Sequence, residues 1–262
     1  MSERALRSYS MNHTDHASRA GTSIYPVMAA IPIPVVVLLM TVIILAGMDG
    51  AFIYDPPFLL PFLNMAFLFA CPAFVGFLAH KGYLSSGSRS LFLLGCGVIT
   101  MGMGSLLAGL IFPARGPNAV VTIHNIAILA AGIFHFWSSI IISFDHAPDD
   151  DAPHDTRVTH LVQAHVGIAL LIAAVAAAAL HNWLPPFFIQ GKGPTMLRQI
   201  VLGAGVLCFV SAAVLYGKVW IDSRREFVYW YSLSLLLIAV GLIGIFLQKS
   251  FGSPVGWVGR IS

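Results

Sequence analysis

Seven long, nearly uninterrupted apolar runs constrain this 262-residue chain more than any other feature of its sequence. They lie at 25–48, 58–80, 90–112, 119–144, 159–181, 197–217 and 227–247. A helix needs about 20 apolar residues to cross the hydrocarbon core of a bilayer. In hydrocarbon every backbone N–H and C=O must be satisfied within the protein, which leaves helices or a closed barrel. Barrel strands alternate apolar and polar residues, and these runs do not. The expected fold is all-α, an integral membrane bundle of seven transmembrane helices with no sheet. Composition points the same way: 58% of residues are hydrophobic and only 10% charged, where a soluble domain carries roughly a quarter.

The breaks between runs carry turn chemistry, as in Asp55-Pro56-Pro57, Ser85-Ser86-Gly87-Ser88, and Gly191-Lys192-Gly193-Pro194. The expected organisation is a polar N-terminal tail at 1–24, a seven-helix domain at 25–249 and a C-terminal tail at 250–262, with both ends poorly ordered. The first run is too long for a signal-peptide core and lacks a small-residue cleavage site, so it reads as a retained helix. Nine Lys and Arg residues fall on the side of the N-terminus and five on the other. The positive-inside rule then places the N-terminus in the cytoplasm and the protein in the cell's inner membrane as a multi-pass protein. The formal charge of +3 is spread over short loops. No basic cluster is interleaved with aromatics, so the partner is the lipid bilayer and not nucleic acid.

Intramembrane ionisable residues mark function by default, and the central parts of the spans hold no Asp, Glu, Lys or Arg. That weighs against a proton pump or cation-coupled carrier. A retinal protein needs a lysine deep in its last helix, and Lys249 lies beyond that run. Cys71, Cys96 and Cys208 sit singly in different runs, without zinc-ligand or disulfide spacing, and read as small buried apolar residues. Small residues line two stripes of the third helix, Gly97, Gly104 and Ala108, then Gly102, Ser105 and Gly109. With the alanines of the fifth (Ala173, Ala174 and Ala176 to Ala179), they predict close helix packing.

What remains at depth is histidine and asparagine. Asn64 enters the second helix by roughly 9 Å, and His124 and Asn125 enter the fourth by roughly 8 Å, all from the side opposite the N-terminus. These three are the candidate ligand-binding residues, in a pocket bounded by helices two to four; structural hydrogen bonding is the competing role. Asn64 and His124 are expected to share a hydrogen bond or a water. From the other side, His135 lies roughly 13 Å and His165 roughly 9 Å deep. Facing imidazoles ligate haem or metals, which makes His135 and His165 weak metal candidates. The expectation is that they do not jointly bind haem, so no cofactor is assigned. The acidic loop around Asp145–Asp155 and the tail at Asn12–His16 share one side, and a solvated loop outweighs a metal site there. No catalytic residue is evident, and the chain does not read as an enzyme.

Three stretches, PFLLPFLN at 57–64, YLSSGSRSLFLLGCG at 83–97 and NAVVTIHN at 118–125, resemble the multi-helix membrane sensor region at the N-terminus of PAS-containing sensor histidine kinases of bacteria and archaea. The tail GSPVGWVGRI at 252–261 is similar to the segment that precedes a further helix in such proteins. The resemblance implies signal perception in the membrane as part of a two-component system. It carries over no catalytic residue, and the chain contains no PAS fold, phospho-acceptor motif or ATP-binding glycine box. The expected eighth helix is missing too, which suggests a stand-alone relative, an excised piece or a truncated product. The function expected from all this is a sensor or receptor module that passes a small-ligand, redox or membrane signal to a cytoplasmic partner, a fused kinase or a second copy in a homodimer. The alternatives are a haem-binding cytochrome using His135 and His165, and an uncoupled small-molecule permease.

Overall fold

A computed structural model describes residues 32–48, 54, 56, 58–144, 152–189, 191–248 and 252–262. The N-terminal tail, the start of the first run and the loop at 145–151 lie outside the described residues. Six helices are long and apolar enough to cross a membrane, so the chain is an all-α, multi-pass membrane bundle. A shorter apolar helix, α1, spans Pro32–Gly47. Next, α2 runs continuously through Leu59–Leu63, the π-helical Asn64–Ala70 and Cys71–Ser86. Then come α3 (Arg89–Arg115), α4 (Pro117–Phe144), α5 (His154–Leu180), α6 (Met196–Ser223) and α7 (Glu226–Leu247). A further helix, α8, covers Pro254–Ile261.

Most spans run past their apolar windows. Helix α2 continues to Ser86, where Gly87 adopts φ 78° and its N–H donates to Tyr83 O at 2.7 Å. Only glycine takes that left-handed cap without a Cβ penalty. Helix α6 extends to Ser223. Hydropathy marks the part that faces lipid, whereas a helix ends only where its hydrogen bonds are capped. Two short strands also form, against the expectation of no sheet: β1 (Phe188–Ile189) pairs antiparallel with β2 (Gly193–Pro194). Positive φ at Gly191 (80°) and Gly193 (91°) turns the chain between them.

The π segment has a local cause. Pro72 has no N–H, and its ring crowds the preceding turn of an α-helix. The wider π winding just before it relieves that crowding. A Cβ at Gly102 of α3 would sit 3.3 Å from Leu68 O and 3.4 Å from Pro72 Cβ, so α3 comes close to α2 where the winding changes.

The order of packing is α2 against α3, α3 against α4, α4 against α6, α6 against α7, and α7 against α1. Leu94, Met101, Ile128, Leu202, Phe209 and Leu235 join α3, α4, α6 and α7 into the main core. The two small-residue stripes of α3 face different neighbours. Gly97 and Gly104 meet His135 and Ala127 of α4; Gly102 and Gly109 meet Pro72 and Asn64 of α2. Helix α5 departs from the tight packing expected of its alanines: Ala173, Ala174 and Ala177 are exposed, and of these alanines only Ala176 and Ala179 are buried. Cys71 lies on the outer surface as well, while Cys96 is buried and Cys208 half-buried.

The C-terminal segment is ordered, contrary to expectation. Gly241 and Gly244 of α7 face Gly259 of α8, and a Cβ at Gly244 would lie 2.8 Å from Gly259 Cα. Gly256 sits beside Gln248, and Ser262 beside Gly241. Helix α8 therefore turns back into the bundle antiparallel to α7. Trp257 Nε1 donates to Tyr54 O at 2.6 Å, and Tyr54 N to Gly252 O at 3.0 Å, tying the segment to the first connection.

These contacts make an opposed pair of substitutions. A Cβ at Gly104 collides with Ala127 Cβ, whereas nothing lies within 4 Å of a Cβ at Gly167. Gly104→Leu is expected to destabilise the bundle by about 1–3 kcal/mol through overpacking. Gly167→Ala is expected to stabilise it by up to about 1 kcal/mol. Thermal unfolding of the purified variants in one detergent checks both signs.

Candidate ligand-binding site

Asn64, His124 and Asn125 converge on one cavity of about 520 Å³ near the end of the bundle where α2, α4 and α6 begin and α7 ends. That volume falls within the ~300–1,000 Å³ usual for small-molecule sites. Asn64 and His124 meet through Ser105 of α3: Asn64 Nδ2 donates to Ser105 O at 3.1 Å, and Ser105 Oγ lies 3.3 Å from His124 Nδ1. Gly109 makes room for this layer, since a Cβ there would sit 3.3 Å from Asn64 Nδ2. Asn125 is 1% exposed, and its Nδ2 has no hydrogen-bond partner among the described residues.

The walls extend beyond helices two to four, which corrects the expected boundary. Phe67, Leu68 and Met101 form one apolar side, and Ile238, Leu242 and Ile245 of α7 another. Phe188 of the β-hairpin also lines the cavity. The hairpin is held there by Asn118 at the start of α4, whose Oδ1 accepts from Phe187 N at 2.9 Å and Phe188 N at 3.1 Å.

Sequence reasoning missed four polar residues of the wall: Arg198, Gln248, Arg260 and Ser262. Arg198 is the second residue after Met196 in α6 and only 4% exposed. Its Nη2 donates to Ile245 O at 2.8 Å, and Gln199 Nε2 donates to Phe246 O at 3.2 Å. Two of the carbonyls that the end of α7 leaves unpaired are thereby capped from α6. Arg198 Nε and Nη1 have no hydrogen-bond partner among the described residues. Arg260 comes from α8, its guanidinium 5.2 Å from the Trp257 ring centroid. Both arginines lie within electrostatic range of the His124 ring. A charge at a span's first turn reads as a loop residue, and a tail beyond the last span reads as solvent-exposed. The one usable signal was the matched glycine spacing, Gly241 and Gly244 against Gly256 and Gly259.

His135 and His165 take different partners. His135 is fully buried, with Nδ1 2.8 Å from Tyr231 OH and its ring 5.4 Å from that of Phe209. Gly97 packs against it so closely that a Cβ would lie 2.7 Å from Cε1. His165 instead faces His80, ring centroids 4.8 Å apart, while its Nδ1 lies 2.7 Å from Leu161 O. In the sequence His80 stands at the end of the second apolar run and reads as interfacial; the helix continues to Ser86 and His80 is buried. Nearby, Ser90, Ser138 and Tyr216 join α3, α4 and α6 through hydroxyl contacts of 3.1 and 2.7 Å. Among the described residues no group of three or more His, Cys, Asp or Glu could hold a metal. The tail at 12–16 and most of the acidic loop lie outside the described residues.

Compared with known proteins, the chain matches no family model, no curated protein and no solved structure.

The His135–Tyr231 contact predicts a structural phenotype. Tyr231→Phe leaves a buried imidazole nitrogen without its partner and is expected to cost about 1–3 kcal/mol. Thermal unfolding measures it. In the same preparation, expressed with added haem, no Soret band that depends on His135 or His165 is expected.

Proposed function

We propose that this chain is a membrane-embedded sensor or receptor module in which occupancy of the 520 Å³ cavity biases helix packing. In this reading α1 is a seventh span, and the excess of Lys and Arg on the side of the N-terminus supports a cytoplasmic N-terminus in the inner membrane. The signal passes to a cytoplasmic partner or a fused output domain such as a kinase. The observation that carries this reading is the make-up of the cavity wall. Five of the six long helices and α8 contribute to it at once, so one ligand touches most of the bundle. A ligand shifts a conformational equilibrium only through different contacts in the two states. A site shared by α2, α3, α4, α6, α7 and α8 meets that requirement, and α8 heads back into the bundle toward the side of the N-terminus.

The seven-span count is supported by α1, an apolar helix of 16 residues rising about 24 Å. It packs along α7 and α8 through Val42, Val240 and Val255. The cytochrome reading loses ground because Tyr231 and Phe209 already occupy the surroundings of His135.

Filling the cavity tests coupling. Ala108 is fully buried in its wall, whereas Leu110, two residues on, is exposed on the outer face. Ala108→Phe is expected to change amide exchange across Pro254–Ile261 by several-fold in nanodiscs, and Leu110→Phe to leave it unchanged. Unchanged exchange in the Ala108 variant would remove the sensor reading. Flux across proteoliposomes of a compound shown to bind the cavity would favour the permease.

A further inference from the structure

The same cavity carries a more specific assignment, which rests on reading it as a ligand site. We propose that it takes an organic anion with an apolar body, the anionic oxygens held by Arg198 and Asn125 with Arg260 alongside, and the body lying among Phe67, Leu68, Met101 and Leu242.

Four observations converge on this chemistry. The cavity's polar groups include two arginines, and no Asp or Glu side chain lines it among the described residues. Arg198 is 96% buried by its 4% exposure, and two of its three nitrogens lack a hydrogen-bond partner among the described residues. Capping the end of α7 accounts for Nη2 alone. The partial negative charge at a helix C-terminus amounts to roughly half an elementary charge, which does not balance the Arg198 guanidinium. Asn125, buried in the α4 part of the wall, adds an amide N–H₂ with no partner among the described residues.

Buried donors without acceptors are costly, and more so when charged. A carboxylate or phosphate head satisfies an arginine through paired, charge-assisted hydrogen bonds and accepts from an amide as well. A neutral apolar molecule would fill the space and leave the spare nitrogens of Arg198 and the Asn125 amide unmet. An inorganic ion would meet the donors and leave the larger apolar wall uncovered. The Gly241–Gly259 contact matters here, because it lets α8 come close enough to bring Arg260 to the cavity.

The test uses the full chain in nanodiscs of a neutral lipid. Binding of decanoate, decyl phosphate, decan-1-ol and acetate is measured by calorimetry, with Ala108→Phe nanodiscs subtracted for partition into the bilayer. Saturable binding of decanoate or decyl phosphate is expected, with decan-1-ol and acetate at least about tenfold weaker. The better of the two anions names the head group. Arg198→Gln and Asn125→Leu are each expected to lower anion binding toward the level of decan-1-ol, leaving decan-1-ol unchanged. Arg198→Gln also removes a helix cap and could fail to fold; the head-group selectivity of the unaltered protein and the Asn125 variant stand without it. Equal binding of decan-1-ol and decanoate would overturn the anion assignment while leaving a receptor for neutral ligands. Acetate binding as well as decanoate would replace the amphiphile by a small free anion and overturn it too. If none of the four binds, the assignment falls, and the exchange behaviour of α8 in the Ala108 variant decides the sensor reading separately.

Discussion

Helix association inside a bilayer has no hydrophobic drive, so a bundle holds together through surfaces that approach closely enough for dispersion and hydrogen bonding to act. Here α3 supplies those surfaces in two directions. Gly97 and Gly104 let α4 close in, and Gly102 and Gly109 let α2 do the same. The hydrogen bonds at depth depend on this approach. Asn64 reaches the backbone of Ser105, and Ser105 reaches His124, because no side chain intervenes at Gly109. Ser90 and Ser138 likewise meet 3.1 Å apart across the α3–α4 seam.

The cavity is the counterpart of that tight seam. Backbone approach draws α2, α3 and α4 together at one side, while α7 is held from α6 by Arg198 and Gln199 on its last carbonyls. Between the two sets lies a space closed by the β-hairpin and by α8. Both closing elements are set by specific polar or glycine contacts: Asn118 holds the hairpin, and the glycine pairs hold α8. Arg198, which lines the space, is divided between two settings. Part of Arg198 caps a helix, and the rest faces the interior with donors to spare.

Much of the architecture was legible in the chain. Run length and low charge determined a helical membrane protein, because hydrocarbon leaves no other way to satisfy the backbone. Turn residues located the connections, and the two glycine stripes marked α3 as a helix that packs on two sides. Depth counted along each run put Asn64, His124 and Asn125 at one level, since a helix rises a constant ~1.5 Å per residue.

Rotation about each helix axis, and whatever continues past an apolar window, were decided only by the tertiary structure. His135 and His165 have similar depths, yet one turns to Tyr231 and the other to His80. The alanines of α5 would suit tight packing, but half of them are exposed because no helix among the described residues covers them. Arg198 and Arg260 read as interfacial and tail charges, since hydropathy treats a charge at a span's edge as solvated. Arg198 is buried by a partner far away in sequence, the carbonyl of Ile245, and Arg260 is half-buried because the bare backbone of α7 lets α8 approach. A one-dimensional pattern fixes how deep a residue lies and which helix bears it; the direction it faces depends on neighbours that only the folded bundle brings near.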